Sequence, residues 1–71
     1  MDEKEILKKF GFNVKVERMK RDITQAELAE ILDVHEKYIS RIETGKQNVT
    51  IKTLNKLSTA LNIDCYKFLK F

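Results

Sequence analysis

Residues 31–36 read ILDVHE, and they separate two amphipathic helical patterns with no glycine or proline at the break. Leu28, Ala29 and Leu32 recur at helical spacing before it, and Ile39 and Ile42 after it. Asp tolerates the left-handed backbone better than most non-glycine residues. Asp33 can therefore turn the chain while Val34 drops into the core and His35 opens the next helix. The two short helices are then held at a steep angle, with Ala29 small enough to let their backbones approach. On the outer face of the second helix this leaves Glu36, Lys37, Ser40 and Arg41, none of which a core requires.

Working outward, the same punctuation recurs. Four capping-type residues have an apolar residue just before them and another five positions after that one: Ile23-Thr24 with Leu28, Val34-His35 with Ile39, Val49-Thr50 with Leu54, and Ile63-Asp64 with Phe68. This is the hydrophobic-staple arrangement at a helix start, and Glu27 completes a capping box with Thr24. Gly45 and Asn62 stand where a helix end wants positive φ. Strand-like alternation is absent. The pattern predicts an all-α fold of five helices over about residues 3–21, 25–32, 36–44, 51–61 and 65–70, the first with Ile6, Leu7, Phe10 and Val14 on one face. Leu54, Leu57 and Leu61 continue the core. With short connections and no linker or repeat, residues 1–71 read as a single domain.

A domain of this size buries only about 60% of the surface its unfolded chain exposes, so a partner subunit is expected. No apolar run exceeds two residues, whereas a membrane span needs about 20 and a secretory signal about 7 to 15; a soluble, cytoplasmic protein is expected. Cys65 is the only cysteine and His35 the only histidine, which excludes an internal disulfide and a zinc constellation and leaves Cys65 as a small packing residue. The charge of +3 is unevenly placed. Residues 1–34 carry 7 Lys or Arg against 8 Asp or Glu, and residues 35–71 carry 7 against 3. That polarity suits a polyanion at one face. Nucleophile types are scattered and no glycine-rich phosphate loop or paired-carboxylate cleft is visible, so an enzyme is not expected. Neither a cofactor nor a small-molecule ligand is indicated.

TQAELAEILDVHEKYISRIETGK (24–46), followed by NVTIKTLNKLSTALNI (48–63), resembles the Cro-type, lambda-repressor-like (XRE-like) helix-turn-helix family. Gln25, Ala29, Val34, Ile39, Ile42, Glu43 and Gly45 stand at its motif positions, and the likeness covers roughly residues 10–70. It implies a compact five-helix fold that binds operator DNA as a two-fold dimer, in a phage repressor, a restriction-modification controller or an antitoxin. YISRIETGKQNVTIKTL and the short length look most like the controllers. Two residues depart from the pattern: Asp33 where the family usually has glycine, and Glu17 where the first helix usually has an apolar side chain.

The resemblance places Glu36, Lys37 and Arg41 at base-reading positions in the major groove, with His35 and Ser40 beside them. Arg41 and Lys37 suit guanine O6 and N7, Glu36 suits the cytosine amino group, and Ser40 serves either. Gln25 matches a phosphate-binding glutamine at a helix N-terminus, which favours an anion. Thr44, Lys46, Gln47 and Asn48 can reach the flanking backbone. Tyr38 can either touch a phosphate or cover Ile42, and Lys52 and Lys56 read as surface lysines. Arg18 and Glu43 match a partly buried structural ion pair.

Two apolar surfaces exceed what the core needs. Phe12, Val16 and Met19 form a stripe roughly opposite Phe10 and Val14. Either the first helix is rotated or bent near Gly11 so that part of the stripe joins the core, or the stripe is an exposed contact surface for a partner protein or a neighbouring DNA-bound dimer. In the C-terminal third, Ile63, Tyr66, Phe68, Leu69 and Phe71 suggest an isologous homodimer interface, which would set two recognition helices about 34 Å apart, one turn of DNA. The expected function is a sequence-specific transcription regulator on a palindromic operator. The alternative is a protein-interaction module such as an antitoxin that neutralises a partner protein.

Overall fold

The computed structural model describes residues 1–71. Four α-helices precede a 3-10 turn: α1 (Glu3–Lys20), α2 (Gln25–Leu32), α3 (Glu36–Glu43), α4 (Ile51–Leu61) and the turn at Cys65–Leu69. The all-α expectation holds, and the boundaries of α1 and α3 fall one residue short of those predicted. The fifth element, however, is not the α-helix expected over residues 65–70. Five residues are too few to offset the cost of nucleating an α-helix, and Asp64 gives it no side-chain cap. Its end is held from outside instead, by Asn13, whose Nδ2 donates to the carbonyls of Phe68 (2.8 Å) and Lys70 (3.2 Å).

One device makes three of the connections. Asp22, Asp33 and Asn62 each take a left-handed backbone, with φ of 54°, 58° and 54°. The residue after each reaches back five positions: Ile23 N to Arg18 O (3.3 Å), Val34 N to Ala29 O (2.9 Å) and Ile63 N to Ser58 O (3.0 Å). This is the Schellman closure, which satisfies carbonyls that the helix end leaves free. Its second residue is apolar and packs against the core, and its third (Thr24, His35 or Asp64) adopts extended backbone and starts the next element. Gly45, at φ 76°, closes α3 in the same way.

The caps differ in quality. Thr24 Oγ1 accepts from Glu27 N (3.0 Å) while Glu27 Oε1 accepts from Thr24 N (2.9 Å), completing the box. The backbone hydrogen bond from Thr24 holds the Glu27 carboxyl below its usual range. The cap is therefore complete above the ordinary carboxylate range and is lost as pH falls through that depressed value. Thr50 caps α4 by accepting from Thr53 N (3.1 Å). His35 and Asp64 make no side-chain cap bond.

The core consists of Phe10 and Val14 from α1, Leu28, Ala29 and Leu32 from α2, Ile39 and Ile42 from α3, Leu57 and Leu61 from α4, and Phe68. Leu54 is only half-buried. The rings of Phe10 and Phe68 meet edge to face at 5.9 Å, a favoured aromatic geometry. α3 packs against both α1 and α2. Because Phe10, Val14 and Arg18 repeat every four residues and all point inward, the opposite side of α1 is solvent-facing. Phe12 is 61% exposed and Met19 56%, with Val16 half-buried. α1 runs unbroken past Gly11, and Phe12 and Met19 stay out of the core; of the stripe only Val16 is partly covered, and it does not join the core cluster. Glu17 also lies at the edge of this packing: burial opposes its ionisation, but bonds from Arg21 (3.0 Å) and Lys20 (3.3 Å) outweigh it and lower its pKa. No helix is long and apolar enough to cross a membrane.

Gly11 serves a close approach rather than a bend. A Cβ there would lie 2.9 Å from the carbonyl carbon and oxygen of Glu43, and nearer still to the carbonyl oxygen of Ile42. Gly11→Ala should therefore cost about 1–3 kcal/mol or more through overpacking. Urea unfolding checks this, and an unchanged midpoint would mean that α1 and α3 have room to spare.

Candidate nucleic-acid interface

α3 has eight residues, a length of about 12 Å at 1.5 Å per residue. Ile39 and Ile42 anchor its inner side and are essentially inaccessible to solvent. On the outer side Glu36, Lys37 and Arg41 are exposed and Ser40 is half-buried. Spacing of four residues stacks Ser40 above Glu36 and Arg41 above Lys37. His35 is exposed just ahead of the first turn. Glu36 and Lys37 take part in none of the chain's three salt bridges, so both remain free for a ligand. Arg41 is partly engaged: Nε donates to Gln47 Oε1 (3.2 Å) and Nη2 to the Lys46 carbonyl (2.9 Å), which lays the guanidinium along the segment after α3.

Behind this face, Arg18 and Glu43 form a two-pronged ion pair, with Nε to Oε2 at 2.7 Å and Nη2 to Oε1 at 3.0 Å. Arg18 Nη1 also donates to the Ile23 carbonyl (2.7 Å), and Gln25 Nε2 donates to Glu43 Oε1 (2.9 Å). Both charged residues are buried, and the hydrogen bonds to Glu43 raise the pKa of Arg18 despite the opposing effect of burial. One carboxylate at the end of α3 thus gathers donors from α1 and α2, and Arg18 ties the pair to the connection between those helices. No buried side-chain nitrogen or oxygen is left without a partner.

The residues expected at the phosphate backbone divide. Lys46 and Asn48 are exposed, beside the end of α3. Gln47 bridges Arg41 to the Asn48 carbonyl, to which its Nε2 donates at 3.2 Å. The Thr44 hydroxyl turns back to the Ser40 carbonyl (3.0 Å). Tyr38 packs against the core and is half-buried. Gln25 spends its side-chain amide on Glu43. The backbone N–H groups of Gln25 and Ala26 precede any helical acceptor and have no other partner, which leaves an anion-attracting helix start. No cluster of His, Cys, Asp or Glu is arranged to hold a metal ion. Cys65 is half-buried, its thiol 3.2 Å from Ser58 Oγ.

The C-terminal residues proposed from sequence as one dimer face are split over different surfaces. Phe68 is 0% exposed and cannot belong to an interface, because the three-residue period of the turn points it with Cys65 into the protein. Ile63 is likewise half-buried against the core. Tyr66, Leu69 and Phe71 remain exposed. Leu69 faces a groove with Ile6, Leu7, Val49, Ile51 and Leu54, whereas Phe71 lies beside Phe12. Ile51, 80% exposed, went unnoticed in the sequence; an isoleucine at the first position of a helix, outside the stapled pair Val49 and Leu54, was the available signal. The clamp by Asn13 and the tie between Gln25 and Glu43 had no local signal, since their partners lie 55 and 18 residues away.

A helix-turn-helix family model (HTH_3) matches residues 14–68. Control protein C.SmaI of Serratia marcescens is 42% identical over 69 residues, spanning 97% of this chain and 79% of that protein. Control protein C.BamHI of Bacillus amyloliquefaciens is 38% identical, spanning 87% and 78%. Among solved structures, the restriction-modification controller protein C.AhdI from Aeromonas hydrophila superposes with a TM-score of 0.84 at 31% identity, over 87% of this chain and 94% of that one.

Arg18→Ala should destabilise the fold by about 3–5 kcal/mol, because it leaves the Glu43 carboxylate buried without its counter-charge. Replacing both partners with apolar residues of similar volume should cost much less. Thermal unfolding of the single and double variants distinguishes these, and equal losses would mean that the pair is not buried as described.

Proposed function

Because the chain belongs to the helix-turn-helix (XRE-like) family of transcription regulators, we propose that it reads a palindromic operator as a homodimer, with α3 of each copy in the major groove. The observation that carries this reading is the outer face of α3, where Glu36, Lys37 and Arg41 stand free of the core on a helix fixed from behind by Ile39, Ile42 and Glu43. A groove reader needs long polar side chains on a rigid support, since each base pair displays its own donor and acceptor pattern there. Arg41 and Lys37 read guanine, Glu36 reads the cytosine amino group, and Ser40 and His35 adjust the edges of the contact. The free amides at the start of α2, with Lys46, Gln47 and Asn48, hold the phosphates on either side and set the docking angle. Kinship with control proteins C.SmaI and C.BamHI and with the restriction-modification controller protein C.AhdI supports a role in regulating a restriction-modification system. Such a protein acts in the cytoplasm, as one domain, with DNA and a second copy as its partners. It is not an enzyme.

The two-fold contact is assigned to the groove that runs past Ile6, Val49, Ile51, Leu54 and Leu69. Ile51 and Leu69 are large apolar side chains left in water, and each side chain of this kind contributes about 1.5–3 kcal/mol when fully buried. An isologous contact uses the same patch twice, so one groove serves both copies.

Selection of bound sequences from a random DNA pool tests the reading directly, with a two-fold symmetric site as the expected product. Arg41→Ala should cost about 1–3 kcal/mol and relax preference at one position of each half-site, while Lys46→Ala should lower the salt slope of binding by about 1 without altering preference. Binding indifferent to salt would contradict a phosphate-dominated contact. Separately, Ile51→Lys and Leu69→Glu should each shift sedimentation toward the monomer without changing the circular dichroism, and weaken operator binding with it. A variant that still sediments as a dimer would move the interface elsewhere.

A further inference from the structure

Two further surfaces remain unpartnered, one on α1 and the end of the chain and one on the outer side of α2, and they are complementary. The first is an open cleft between α1 and the last residues of the chain. Phe12 and Phe71, each more than half exposed, lie there among Lys8, Lys9 and Lys70. No Asp or Glu side chain lines it, and none of the three lysines belongs to a salt bridge. Its wall is fixed, because Asn13 holds the carbonyls of Phe68 and Lys70. The apolar strip continues along α1 to Val16 and Met19, with Lys15 exposed on one flank.

The second surface is the stretch from residue 22 to residue 33, which contains Asp22, Glu27, Glu30 and Asp33 and no lysine or arginine. All four acids are exposed and none is in a salt bridge. On the outer side of α2, Ile31 is 57% exposed, next to Glu30 in sequence and one turn after Glu27. It is an apolar knob with carboxylates along its own helix and Lys56 of α4 across the adjoining groove; the acids outnumber that lysine, the inverse of a phenylalanine cleft edged with ammonium groups.

We infer that the chain associates head to tail, with the Ile31 knob and acidic rim of α2 in one copy seated in the lysine-rimmed Phe12–Phe71 cleft of a second copy. Charge complementarity selects this occupant. The cleft calls for an apolar side chain beside a surplus of acids, and this protein presents one on its own α2, where Glu27, Glu30 and Asp33 outweigh Lys56. The contact joins two different patches, so in the head-to-tail arrangement each copy that joins leaves one knob and one cleft open for the next. It is thus distinct from the groove at Ile51 and Leu69, and it requires neither that dimer nor DNA. Both patches are at the surface, so the attraction is strongly screened by salt.

Sedimentation velocity over a concentration series provides the test, at ionic strengths of about 0.01 M and about 1 M, where the Debye length is about 30 Å and about 3 Å. The wild-type protein should form species larger than a dimer at low salt and revert at high salt. Lys9→Glu alone and Glu30→Lys alone should each weaken this association about tenfold or more, because each sets like charges opposite one another. Mixed in equal amounts, the two variants should associate again, since the reversed cleft of one matches the reversed knob of the other. Both positions are exposed, so unchanged thermal melting will show that the variants fold. The same series in a Leu69→Glu background should retain the head-to-tail species, which separates failure of this contact from failure of the two-fold dimer. A wild-type mass that never exceeds the dimer at low salt, or a mixture no heavier than its separate components, overturns the inference.

Discussion

The buried carboxylate of Glu43 is the point on which the molecule turns. It sits at the last residue of α3, where a helix end disfavours negative charge, and it is removed from water. It persists there because Arg18 supplies two hydrogen bonds and Gln25 a third. A buried ion pair of this type adds little net stability, since desolvation consumes most of the Coulombic gain. Its contribution is geometric: the fork of Arg18 and the amide of Gln25 fix the end of α3 relative to α1 and α2. A helix held this way keeps its outer side chains at one angle to whatever it meets.

The approach of α1 to α3 completes that restraint. Gly11 allows the backbones to come within a distance that any Cβ would block, and Phe10 and Val14 on either side of it fill the core. The same register that turns Phe10, Val14 and Arg18 inward turns Phe12 and Met19 out. The exposed stripe is therefore a consequence of how the ion pair is built, as no rotation of α1 could bury the stripe and keep Arg18 against Glu43.

Small size shapes the rest. So short a chain has more apolar side chains than one core can hold, and the surplus is distributed rather than pooled: Ile51 and Leu69 at one groove, Phe12 and Phe71 at another, Ile31 alone on α2. Charge is distributed too, with acids around α2 and lysines around the cleft of α1. The polar face of α3, the groove at Ile51 and Leu69 and the cleft at Phe12 and Phe71 thus occupy separate parts of the surface.

Local chemistry determined the helices and their breaks. The αL-tolerant Asp33 and Asn62, the staples and the Thr24–Glu27 box each act within a few residues, so they are legible in any reading of the chain, and Asp22 would have been too had its kinship with Asp33 been noticed. The polar outer face of residues 36–41 was legible for the same reason, because helical periodicity alone separates it from Ile39 and Ile42. Tertiary structure decided what depends on distant partners. Phe68 was drawn inward by Phe10, Asn13 captured carbonyls 55 residues away, and the C-terminal aromatic cluster, contiguous in sequence, was divided among surfaces by a 3-10 turn. Side-chain burial is set by what packs opposite, and no spacing rule within a segment contains that information.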